Sequence, residues 1–225
     1  MKRIIPIIIL ASLTLPACNP TTPTAPAGPI TVQYTAATAP WLAGLYDCAG
    51  VNVVTAEQRS ADFLDPQPDN LAIRIGQPAN LTSPASQIGS EEILVILNPQ
   101  NPINSLTAEQ VRGLFSGQIL TWQEVNGSNA PVQVWVYSSG EDVQQIFEQA
   151  TLGGSPLTST ARLATDPNEM VKAIASDVNA VGILNRHWKL DGVTVVYSIA
   201  IVPVLALASA ELQGKIRELL ACMQR

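Results

Sequence analysis

The residues in this sequence whose types could carry chemistry are few. Glu91–Glu92 and Glu141–Asp142 are adjacent carboxylates, the material of general acid–base catalysis, and His187 is the single histidine. Neighbours in a strand point to opposite faces, so Glu91 and Glu92 cannot work on one proton. Glu141 and Asp142 open a helical segment, where acidic side chains complement the N-terminal N–H groups and the dipole. His187 stands in "NRHWKL", just past an apolar run, and reads as a solvated loop histidine. One histidine and the distant Cys48 and Cys222 give no metal-ligand spacing. No nucleophile elbow, phosphate-binding P-loop or dinucleotide fingerprint occurs. These residues therefore predict no catalytic group, no metal site and no cofactor, and the chain is not expected to be an enzyme.

The first residues point to export. "MKRIIPIIILASLTLPAC" places Lys2 and Arg3 before an apolar run, then small residues before Cys18. That is a secretory signal (1–17), too short to span a bilayer comfortably. "LPAC" resembles a bacterial lipobox, in which Cys18 becomes the lipidated first residue. The alternative is a plain signal peptide cut nearby. Residues 18–29 supply the lipidated cysteine and then the uncharged "NPTTPTAPAGP". Such a segment cannot bury a core and serves as an extended tether, reaching roughly 30 Å at ~3.1 Å per residue.

The remaining chain, about 195 residues long, is 47% hydrophobic across the full sequence, enough for one two-lobed domain or two small ones. Removing Lys2 and Arg3 from the 12 basic residues leaves 10 against 18 acidic ones, a charge of −8. An acidic chain without a basic cluster argues against nucleic acid and against electrostatic membrane binding. Contact with the membrane would then come through the lipid.

The elements that would position any site alternate in type. "ITVQY" (30–34), "VNVVT" (51–55), "NLAIRIG" (70–76) and "EEILVILN" (91–98) read as strands, with the Pro-, Gln- and Ser-rich stretch before residue 91 as loop. "APWLAGLYDCA" (39–49) is a helix with Trp41, Leu45 and Cys48 on one face. "LTAEQVRGLFSG" carries a helix with both ends marked: Thr107 and Gln110 have capping-box spacing, and Gly117 suits a left-handed C-cap. After it come the strand 132–137, a helix 141–150, a helix 166–176, the strand 180–184, the strands "VTVVYS" and "PVLALA", and a terminal helix 210–224. Alternation of this kind predicts an α/β fold with largely parallel sheets.

Three segments carry a resemblance to a known family. "LTAEQVRGLFSGQILTWQEVNG" (106–127), "EEILVILNPQNPINSLT" before it and "NEMVKAIASDVNAVGILN" after it are similar, in that order, to segments of the phosphate-binding proteins of ABC transporters. The match is continuous over about 90–185 and weaker over 30–76. The resemblance implies a type 2 periplasmic-binding-protein fold: two α/β lobes of mixed, mostly parallel sheets flanked by helices, with ligand in the cleft. On this chain lobe one would be 30–97 plus 194–225 and lobe two 98–193. Trp122 and its capped helix would be scaffold.

The ligand positions depart from the family pattern. Where the family has an arginine and a Gly-Ser-Gly-Thr loop, this chain has Tyr137 and then Ser138, Ser139 and Gly140. "TAAT" (35–38) stands in place of the family's first loop, with Thr35 and Thr38 as hydrogen-bonding candidates. The family's aspartate before the third strand corresponds to Asp69 or Asn70. Arg74 is the one nearby cation, and it either reaches the cleft or points to solvent. Ser138 and Glu141 have capping-box spacing, so the helix N–H groups are expected to be satisfied internally. With Glu141 and Asp142 in the first turn, phosphate should bind weakly or not at all. The expected ligand is a small molecule, an oxyanion or more suitably a neutral polar solute.

The resemblance implies a lipid-anchored solute-binding protein on the outer side of a bacterial membrane, periplasmic or at the cell surface. It would act as a monomer and deliver ligand to an ABC permease. The alternative is a binding-protein-like sensor or interaction module that has lost transport. If the family's chain order holds, Cys48 and Cys222 both fall in lobe one, and export favours a disulfide between them over two separate buried thiols.

Overall fold

The structure is a computed structural model that describes residues 28–49, 53–63, 70–78, 81–209 and 214–225. The expected signal, Cys18, the expected tether up to residue 27 and Asp69 lie outside them. In chain order come β1 (Ile30–Tyr34), a 3₁₀ turn (Ala36–Trp41), α1 (Leu42–Ala49), β2 (Val53–Glu57), β3 (Asn70–Ile75) and β4 (Ala85–Leu97). Then follow α2 (Ala108–Ser116), β5 (Gln133–Val136), α3 (Asp142–Phe147), β6 (Arg162–Leu163), α4 (Pro167–Ser176), β7 (Ala180–Asn185), β8 (Thr194–Leu207) and α5 (Gly214–Met223).

The eight strands form one sheet in the order β2-β1-β3-β8-β4-β7-β5-β6. Pairing is parallel at both ends and antiparallel in the middle. The middle consists of two long strands, β4 and β8, paired from Ala85↔Leu207 to Leu97↔Thr194. At one end β8 pairs with β3; at the other β4 pairs with β7. These two crossing strands thus belong to both lobes, and the type 2 periplasmic-binding-protein architecture follows.

Each lobe has its own core. The first gathers Val32, Leu45, Leu71, Ile73, Val204 and Leu219 under α1 and α5. The second gathers Ile93–Leu97, Phe115, Trp122, Phe147, Met170 and Ile174. Burial of each such large side chain contributes roughly 1.5–3 kcal/mol. Cys48 of α1 and Cys222 of α5 are bonded, with Cα atoms 5.7 Å apart. The helix α2 has the reciprocal cap: Gln110 N–H donates to Thr107 Oγ1 at 3.2 Å and Thr107 N–H donates to Gln110 Oε1 at 2.8 Å. Gly117 ends it at φ +75°, a conformation that favours glycine. Trp122 is fully buried and donates Nε1–H to Asn179 O at 3.0 Å.

Four local readings need correction. β4 starts at Ala85, not at 91; its first six residues carry no apolar run and only Ile88 among them is buried. "VTVVYS" and "PVLALA" are one strand of 14 residues, continuous through Pro203. The helix from 142 is α-helical only to Phe147 and widens into a π turn, Glu148–Leu152. Its N-cap is Glu141, with no side-chain capping bond, so the box expected from Ser138 does not form.

Candidate functional site

Ligands of open α/β sheets bind beyond the carboxyl ends of the strands. Here the segments after β1, β2, β5 and β6 converge on a cleft of about 250 Å³ lined by Ala36, Glu57, Gln58, Arg59, Glu141, Thr165 and Asp166. A narrow hollow continues inward, sharing Ala36, Glu141, Thr165 and Asp166 and adding Ala37, Tyr137, Val143 and Pro167. A larger hollow of about 290 Å³, lined by Trp135, Arg162, Glu169 and Lys172 among others, shares no residue with this cleft.

Several donors that would suit an anion are already occupied, although the N-terminus of α3 has no side-chain cap. Asp166 caps α4 by accepting from the N–H groups of Asn168 and Glu169 at 2.7 and 3.0 Å, and Pro167 has no N–H to offer. Thr165 N–H and hydroxyl both donate to Glu169 Oε2. Thr35 and Thr38 are buried and bound to each other: Thr35 N–H donates to Thr38 Oγ1 at 2.9 Å, and Thr38 Oγ1–H donates to Thr35 O at 3.0 Å. Ser138 is half-buried and accepts from Glu141 N–H through its carbonyl, Ser139 is exposed, and Gly140 lies against Ala61.

Arg74 does not point to solvent. Its guanidinium pairs with Asp142 across the lobes, with Nε–H shared between Oδ1 and Oδ2 at 3.0 and 2.9 Å and Nη2 also on Oδ1. Ile75 N–H donates to Asp142 Oδ2 at 3.2 Å, so Asp142 serves Arg74 and β3 rather than the end of its own helix. Arg59, which lines the cleft, is 63% exposed and 3.8 Å from Glu141, a pair worth little in water.

Acceptors, by contrast, are plentiful. Burial raises the Glu141 carboxyl above its ordinary value, helped by Asp142; Arg59 and Ser60 oppose the shift. The Tyr137 hydroxyl is pushed far upward by burial first, then by Asp166 and Glu141. It lines the hollow and has no hydrogen-bond partner among the described residues; the same holds for Gln58 Oε1 and Asn185 Oδ1. Asn185 ends β7, and its Nδ2–H₂ donates to Ala37 O and Glu91 Oε2, which fixes Oδ1 as the unpaired atom.

The sequence reading named Tyr137 and missed Glu57, Gln58, Arg59, Asp166 and Asn185. Asp166 was legible as an Asp-Pro helix start. The others have no local signal, since only the crossing of β4 and β8 brings the strand ends together. His187 also departs from expectation: although half-exposed, it donates its backbone N–H to buried Glu91 at 3.1 Å and places Nδ1 3.0 Å from the same oxygen. Among the described residues no cluster of three or more His, Cys, Asp or Glu could hold a metal ion, and no helix is long and apolar enough to cross a membrane.

This fold recurs in solved structures. A protein described as a phosphate ABC transporter substrate-binding protein, from Clostridium perfringens and with bound phosphate, superposes with a TM-score of 0.77 at 15% identity, over 87% of this chain and 93% of that one. An ABC-type phosphate transport receptor from Vibrio cholerae gives 0.64 at 17%, over 87% and 93%. The OxyR2 regulatory domain from Vibrio vulnificus gives 0.62 at 12%, over 88% and 95%. Likeness at such identities speaks for the fold, which transport and regulatory proteins share. The family model of the PBP superfamily domain matches residues 84–219, well over half of the chain, and the chain therefore belongs to the periplasmic-binding-protein superfamily.

Proposed function

We propose that this protein is an extracytoplasmic, lipid-anchored solute-binding protein of an ABC transporter, and not an enzyme. Its cleft departs from the phosphate pattern. Lobe one is assigned to 30–97 plus 194–225 and lobe two to 98–193; the first core lies wholly within lobe one, and the second joins lobe two to Ile93–Leu97 of the crossing strand. The observation that carries the ligand reading is the capture of Arg74 by Asp142, which removes a buried guanidinium from service to an anion. Phosphate carries one to two negative charges and would meet Glu141 and Asp166 instead. Calorimetric titration of the soluble domain with phosphate tests this, and micromolar or tighter binding would overturn it. The anchor is tested by labelling with a palmitate analogue, which should tag wild type and not Cys18→Ala.

A second reading, a transport-incompetent sensor or interaction module, has its own support. The Arg74–Asp142 pair already fastens the two lobes together, as a ligand otherwise would. Small-angle scattering with and without a stabilising solute separates the two: solute-dependent compaction favours transport, and an unchanging closed shape favours the module.

A further inference from the structure

We infer that the cleft receives a ligand bearing a cationic hydrogen-bond donor, an ammonium or guanidinium group, seated between Glu141 and Asp166 with Tyr137 at its inner end. The inference rests on the solute-binding reading and names the class of solute. Among the described residues three carboxylates, Glu57, Glu141 and Asp166, line the cleft against the single guanidinium of Arg59. The pairing of Arg74 with Asp142 adds nothing to that balance.

The hydrogen-bonding inventory points the same way independently of charge. Buried polar atoms are nearly always paired, so an unpaired one marks a place where a partner belongs. Of four such atoms among the described residues, Trp135 Nε1 belongs to a residue of the other hollow, and three stand at the ends of β2, β5 and β7: Gln58 Oε1, the Tyr137 hydroxyl and Asn185 Oδ1. Tyr137 is buried and lines the hollow, and Asn185 is fully buried and bonded to Ala37 of the same hollow. Gln58 Oε1 and Asn185 Oδ1 can only accept, and a phenol can do so beside a cation. Two sets of local donors are occupied: those of the α4 N-terminus by Asp166 and Glu169, and those of the Thr35–Thr38 cap by each other. An ammonium offers three donors and a guanidinium five, which matches the three carboxylates of the cleft and the unpaired Gln58 Oε1 and Asn185 Oδ1.

The test is calorimetry on the soluble domain with agmatine, cadaverine and arginine, against 1,5-pentanediol, glucose and inorganic phosphate. At least one cationic probe should bind, and none of the other three. Glu141→Gln and Asp166→Asn should each weaken that binding by about tenfold or more, the scale of one charge-assisted hydrogen bond. Asparagine keeps the helix cap, so Asp166→Asn should fold. The exposed Glu218→Gln should bind as wild type does. Binding of a neutral probe or phosphate alone, unaffected by Glu141→Gln, overturns the cationic inference and leaves the solute-binding reading intact. Failure of every probe overturns the inference and counts against solute binding as well.

Discussion

Arg74 of β3 and Asp142 at the start of α3 form an almost fully buried ion pair between the lobes, with side chains 14% and 5% exposed. Burying two charges is costly, and their attraction offsets that cost only while both are present. Arg74→Met would leave Asp142 buried with only the Ile75 N–H, and should destabilise the protein by about 3–5 kcal/mol. Asp142→Asn keeps an acceptor for Ile75 but strands the guanidinium, and should cost a similar amount. The double variant should lose clearly less than the two singles together. Urea unfolding of all four proteins measures that coupling; simple additivity would mean that the pair does not link the lobes.

Glu141 gives a prediction with a definite pH sign. Its folded-state pKa lies above the ordinary value of 4.5, because burial and Asp142 disfavour the carboxylate more than Arg59 and Ser60 favour it. A raised pKa means that the folded state binds the proton more tightly than the unfolded chain. The associated stability is therefore complete below about pH 4.5 and is lost as pH rises through the folded value. Glu141→Gln should match wild type in acid and exceed it at pH 7, while weakening the cationic probe. A less stable Glu141→Gln protein at pH 7 would contradict the burial argument.

How much of this was legible depends on whether the signal is local. Thr107, Gln110 and Gly117 fix α2 through residues three to ten apart, and the sequence reading placed that helix to within a residue. Strand β4 was read only where Ile93–Leu97 run apolar; its outer half pairs with β8 through backbone groups, which leave no mark in side-chain type. Arg74 was undecidable from sequence because its partner lies 68 residues away. Tyr137 was named from its place at a strand end, whereas Asn185 at the neighbouring strand end was not, since a polar residue closing a strand usually begins a turn.

The bond between Cys48 and Cys222 closes a loop of 174 residues, and fastens the last helix to the first across the core of lobe one. Constraining so long a loop in the unfolded chain should contribute about 4 kcal/mol. Cys48→Ser with Cys222→Ser, or reduction of wild type, should lower the urea midpoint accordingly. Two free thiols titrated in the unfolded, unreduced protein would refute the bond in solution.

Glu91 is the buried knot of the crossing strands. It is fully inaccessible, accepts from Trp41 Nε1–H at 3.2 Å, Asn185 Nδ2–H₂ at 3.2 Å and the N–H groups of Glu92 and His187 at 3.1 Å, and faces His187 Nδ1. Trp41 can reach it only by lying flat over Gly89. A Cβ at that position would stand 2.3 Å from two carbons of the indole, and the tryptophan ring also packs on His187 with centroids 4.6 Å apart. Gly89→Ala should therefore displace Trp41, cost about 1–3 kcal/mol as overpacking does, and change the near-ultraviolet circular dichroism of the tryptophans. Trp41→Phe alone should also destabilise, by removing the donor to Glu91 and leaving space. Combined, the two changes should cost less than their sum, because the smaller ring makes room for the methyl group. A double variant as destabilised as the sum would show that Gly89 is required for the backbone of β4, not for the passage of Trp41 above it.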